Sequence, residues 1–88
     1  MLRISTIEST EEMVKIRIDG QISGEGVKLL QKTCKAHLEK GLPLSIDLQN
    51  VSFVDRDGIV MLRKLTENKV DLLNASPFIA EQIRQSWS

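Results

Sequence analysis

Two carboxylates stand two residues apart near the middle of the chain, in Phe53-Val54-Asp55-Arg56-Asp57-Gly58-Ile59. An apolar run ends there and a helical pattern opens. Such a junction gathers unpaired backbone N–H groups and the positive end of a helix dipole, which favour negative charge. It also falls at the carboxyl end of a strand, where open α/β sheets bind their partners. The rest of the chain offers little for acid–base work: one histidine, His37, and no tyrosine. Cys34 is the one cysteine, which removes an internal disulfide and a zinc cluster from consideration. A calcium loop fails by position. With Gly58 as its glycine, Phe53 would be the first ligand and Lys64 the bidentate one. Gly20-Gln-Ile-Ser-Gly24 lacks the Lys-Ser/Thr ending of a nucleotide-binding loop. No metal or cofactor is expected.

The elements that must position this loop come from 88 residues, of which 41% are hydrophobic and 27% charged, the balance of a soluble globular domain. One domain, residues 1–88, is the expected count. Twelve basic and twelve acidic side chains cancel. Zero net charge without a basic stretch argues against nucleic acid as a partner. No apolar run approaches the roughly 18 residues of a membrane span, so no direct membrane insertion is expected. The first residues show no basic-then-apolar leader pattern. Together with the lone cysteine this predicts a reducing, cytoplasmic setting.

Periodicity gives the order of elements. Leu2 to Ile7 reads as a strand. Met13 to Ile18 is a clearer one, with Val14, Ile16 and Ile18 on one face and Lys15, Arg17 and Asp19 on the other. The short polar connection between them suits an antiparallel hairpin. Gly20 breaks the pattern, and Ser23 offers a helix N-cap. Val27, Leu30, Cys34 and Leu38 then recur at helical spacing, with His37 at the flank of that stripe. Gly41 and Pro43 punctuate the end. Leu44, Ile46 and Leu48 make a third strand, with Ser45 and Asp47 opposite. A short helix from Ile59 to about Thr66 turns Ile59, Met61, Leu62 and Leu65 inward. Val70 to Leu73 is a fourth strand. Ser76-Pro77 opens a last helix whose stripe is Ala80, Ile83 and Trp87. The order β-β-α-β-α-β-α, with right-handed crossovers between parallel strands, predicts an α/β two-layer domain with helices mainly on one sheet face.

Three stretches of the chain resemble the STAS domain (sulfate transporter and anti-sigma factor antagonist). They are Ile18-Asp19-Gly20-Gln21-Ile22, the central run from Ile46-Asp47-Leu48 through Val51-Ser52-Phe53-Val54-Asp55 to Gly58-Ile59, and Val70-Asp71-Leu72-Leu73-Asn74-Ala75-Ser76-Pro77. They stand in the family's order, and from the first to the last they span most of the chain. The resemblance implies a mixed four-stranded sheet with three helices. It also implies a non-enzymatic module that binds a protein partner, either an anti-sigma-type kinase or, in the alternative, the ATPase of an ABC lipid transporter. The position before Gly58 is the family's phosphoacceptor hydroxyl in antagonist members, and here it is Asp57. A phosphate adds roughly −1.5 to −2 charge; an aspartate holds about one permanently, so switching by phosphorylation at this site is not expected. The stretch between Gly58 and Asn74 looks about six residues short for the family, which predicts a second helix of about two turns. The expected partner surface is Asp55, Arg56, Asp57, Gly58, Ile59 and Met61, with Gln21 and Ser23 from the neighbouring turn.

Plainer roles compete at each position. Asp57 suits a helix N-cap, worth typically about 1 kcal/mol. Asp55 suits a brace that accepts backbone N–H bonds. Arg56 serves neither packing nor capping, which makes it the best candidate for an exposed contact. Ser52 and Thr66 are hydroxyls that could be modified instead. Cys34 should be a small buried hydrophobe. The Asp-x-Asp-Gly run also resembles the first motif of haloacid-dehalogenase-type phosphatases. By that match Asp55 would be the nucleophile and Asp57 the acid/base. Against it, the motif begins some fifty residues into the chain and only 30 residues follow Gly58, with no downstream acidic pair.

Overall fold

Alternation of apolar and polar side chains sets the sheet. In the computed structural model, which describes residues 2–85, the strands are β1 (Leu2–Ser9), β2 (Val14–Ile22), β3 (Leu44–Val54) and β4 (Asp71–Leu73). The helices are α1 (Glu25–Glu39), α2 (Arg56–Glu67) and α3 (Pro77–Gln85). The four strands lie side by side in chain order. β1 pairs antiparallel with β2, whereas β2 with β3 and β3 with β4 are parallel. Val14, Ile16 and Ile18 of β2 and Leu44, Ile46 and Leu48 of β3 are buried on one face, against Val27, Leu30 and Cys34 of α1 and Leu62 and Leu65 of α2. This is the expected mixed sheet with its helical layer. None of the described helices is long and apolar enough to cross a membrane.

Several boundaries differ from the sequence reading, each for a local reason. Gly20 does not end β2. It takes φ 100°, and the register with β3 shifts on either side of it, so the strand bulges and runs on to Ile22. Ser23 is not the side-chain cap of α1. Gly24 holds that position, and Ser23 contributes only its backbone carbonyl, which accepts from Gly26 N at 2.9 Å. Gly41 does stop α1, in a left-handed conformation at φ 73° with its N–H on the Leu38 carbonyl.

α2 is 12 residues long, more than three turns rather than about two. It starts at Arg56 because Asp55, not Asp57, is the cap: the Asp55 side chain accepts from Gly58 N. Ser76 caps α3 as expected, its Oγ accepting from Ile79 N at 3.2 Å. The buried stripe of that helix is Ile79 and Ile83, and Ala80 is exposed. Once Pro77 fixes the helix phase, the larger isoleucines take the inward positions. The expected inward position of Trp87 lies outside the described residues.

Candidate functional site

The carboxyl ends of β2 and β3 meet the amino ends of α1 and α2 along one edge of the molecule. Gln21 pairs in register with Phe53, and Ile22 with Val54. Asp55 follows directly and fastens the four elements. Its N–H donates to the Ile22 carbonyl at 3.0 Å. Its Oδ1 accepts from Gly58 N at 2.7 Å, and its Oδ2 accepts from Gly24 N at 3.1 Å. One carboxylate therefore serves the amino ends of both helices, and both of its oxygens are committed to backbone amides. The bracing geometry expected of Asp55 is present in full.

Gly58 is needed by the same junction. A Cβ there would stand 2.6 Å from Val54 Cγ1 and 2.9 Å from the Ile22 carbonyl oxygen. Only glycine lets the first turn of α2 approach the end of β2 this closely. Arg56 and Asp57 occupy that first turn with exposed side chains. Asp57 thus places a carboxylate at the positive end of the helix without being its cap. Among the described residues no group of three metal-ligating side chains forms, around this pair or elsewhere.

The sequence-predicted residues divide by burial. Gln21, Arg56 and Asp57 are exposed, and Ser23 and Asp55 are half-buried. Gly58, Ile59 and Met61 are buried; the two larger side chains face the core, and Met61 keeps a small accessible margin beside α1. The two hydroxyls considered for modification are held by main-chain carbonyls. Ser52 Oγ donates to Gly20 O at 3.2 Å, and Thr66 Oγ1 donates to Arg63 O at 2.6 Å.

Two features escaped the sequence reading. Asp47, placed by alternation on the polar side of β3, is 3% exposed. Its Oδ1 accepts from Gln49 N at 2.9 Å and from Asn74 Nδ2 at 3.2 Å, and its Oδ2 lies 3.6 Å from Arg17 Nε. The Gln49 N–H is the main cause that holds this carboxyl below the ordinary range, against the opposing effect of burial. Asn74, Arg17 and Lys15 add to it. Asp47 thereby pins the turn after β4 to the centre of the sheet.

The second feature is a groove of about 450 Å³ between α1 and α2, opening beside Asp57. On the other side of α2, Phe53 is 50% exposed beside a concavity that Arg56 and Gln82 also line. No periodicity marks either concavity, because each is made by two elements meeting.

A mixed sheet in this order, with a helix-capping loop at the end of β3, defines the SpoIIAA-like α/β fold. The chain belongs to the STAS domain family, whose model matches residues 5–86. It is similar in structure to the anti-sigma factor antagonist SpoIIAA in its unphosphorylated form, with a TM-score of 0.74 and 21% identity, over 93% of this chain and 82% of that one. It is also similar to an uncharacterised protein of the DUF3478 family from Shewanella loihica PV-4, described as having a SpoIIAA-like fold. There the TM-score is 0.57 and the identity 13%, over 88% of this chain and 69% of that one. A search of the curated proteins finds no significant match.

Proposed function

We propose that this chain is a regulatory protein-binding module of the anti-sigma-factor-antagonist kind, working in the cytoplasm without catalysis. It docks through the loop Asp55–Gly58, the first turns of α2 as far as Met61, and the turn that carries Gln21 and Ser23. The observation that carries this reading is the division of labour between the two aspartates. Asp55 does the capping and bracing. Asp57 is left exposed on the helix's first turn, with its carboxylate free to meet a partner. Asp57 stands at the family's phosphoacceptor position, so the module presents a fixed charge there and is not switched by phosphorylation at that residue. The partner is an ATPase, of the anti-sigma kinase type or of the ABC transporter type. Engagement of both Asp55 oxygens by backbone amides weighs against the phosphatase reading, in which one of them would attack phosphorus.

The test is affinity capture from the native host's lysate with tagged wild-type protein and with Asp57→Lys, followed by mass spectrometry. The expected result is an ATPase captured by the wild type and lost with the variant, and its class decides between the two partner types. Equal capture by both baits, or no specific protein on a folded, monodisperse bait, contradicts the proposal.

A further inference from the structure

The groove between α1 and α2 has a charge pattern that the loop alone does not explain. One stripe of each helix lines it. On α1 the stripe carries Lys28 and Lys35, and on α2 it carries Lys64. All three lysines are exposed. The ion pairs of the described residues are made by Arg17, Arg63 and Arg84, not by these lysines. Asp57 is the one carboxylate on the lining, at the end beside the loop, whereas Glu25, Glu39 and Glu67 of the same helices fall off it. The floor between the rims is apolar, formed by Val27, Met61 and Leu65. In a chain of zero net charge this is a local segregation: a greasy floor, a cationic rim and one anionic end.

The length of the groove narrows the occupant. From Asp57 to Asn68 the α2 stripe rises about 16 Å, or three helical turns. A helix of that length places apolar residues at i, i+3, i+4 and i+7 along such a floor and its flanking residues against the rim. We infer that this groove receives an acidic amphipathic helix of the protein partner, its carboxylates meeting Lys28, Lys35 and Lys64 and a basic or neutral residue meeting Asp57. This rests on the partner-binding reading above and extends the docking surface from the loop along the full length of both helices.

The test does not need the natural partner. Two synthetic helical peptides of about 14 residues share one leucine stripe and differ in glutamate or lysine flanks. Each is titrated into ¹⁵N-labelled protein and followed by NMR. The expected result is saturable shifts confined to the two lining stripes, with the acidic peptide about tenfold or more tighter than the basic one. The exposed substitutions Lys35→Glu and Lys64→Glu together should reverse that preference. Equal affinity for the two peptides, shifts centred on Phe53 instead, or no saturation with either peptide overturns the inference. In each of these cases the Asp57-dependent capture still stands or falls by its own result, so the two readings fail separately.

Discussion

Removing the Asp55 carboxylate should loosen two helix starts at once. In Asp55→Ala, Gly58 N loses its 2.7 Å acceptor, the N-cap bond of α2, which is worth typically about 1 kcal/mol. Gly24 N loses its 3.1 Å acceptor as well. That donor is exposed and water can replace the carboxylate, so this loss is about 0.5–1 kcal/mol rather than the larger cost of a buried donor. The sum is about 2 kcal/mol, a sizeable share of the roughly 4–13 kcal/mol expected for a chain of this length. It should lower the melting temperature by about 8–16 °C. Asp55→Asn separates the two parts. Asparagine caps as well as aspartate, but it has one carbonyl oxygen and sets an amide donor against Gly24 N–H, so about half of the loss should remain. Asp57→Ala removes only a favourable charge near the helix end, about 0.3–1 kcal/mol. Urea denaturation of the wild type and the three variants, followed by circular dichroism, gives the ranking. A loss in Asp57→Ala as large as that in Asp55→Ala would refute the assignment of the cap. An Asp55→Asn protein as stable as wild type would show that the bond to Gly24 contributes nothing.

Gly58→Ala gains about 1 kcal/mol of helix propensity but drives a methyl within 2.9 Å of the Ile22 carbonyl. Overpacking of that kind costs about 1–3 kcal/mol, so denaturation should show a net loss, and a stabilised variant would contradict the close approach. Cys34 is fully buried, and burial pushes its thiol up to about 12 from 9.0. An aromatic disulfide reagent should therefore react with it only at the rate of unfolding. Folding also holds this thiol protonated, so stability should decline as pH rises past 9.0 towards 12. Rapid labelling of the folded protein would contradict that burial. Asp47 has its carboxyl below the ordinary 3.8, so its contribution is complete above that pH and is lost as pH falls through the lower folded value. The stability difference between wild type and Asp47→Asn should accordingly shrink on acidification. A difference unchanged down to about pH 2 would show that the carboxylate charge plays no part.

The fold was legible wherever one face of an element meets one environment. β2 and α1 each bury a single stripe, and the periods of two and of three to four name them directly. The start of α2 was not legible in this way. Asp55 and Asp57 are equally good caps by type, and Gly58 directly after three charged residues has the chemistry of a loop. What decides is the approach of Gly58 to Val54 and Ile22, a tertiary contact with no local signature. Asp47 shows the same limit. Alternation puts it on the polar side of β3 correctly, and its burial comes from Asn74, 27 residues away, and from Arg17 on the neighbouring strand. At the loop itself, the brace expected of Asp55 is present, but the cap expected of Asp57 is not: Asp55 takes that role as well, and Asp57 is left exposed. The groove between α1 and α2 needed both helices in place before its rim of lysines became one surface.

In the proposed function the partner seats on the edge where Asp57 stands. The most direct measurement is hydrogen–deuterium exchange of the chain, free and in complex with the captured ATPase. Protection confined to residues 21–24 and 55–61, and continuing along the facing sides of α1 and α2, is the predicted footprint. Protection centred on the polar face of the sheet around Arg17 and Ser45, or on α3, with the loop unchanged, would contradict it.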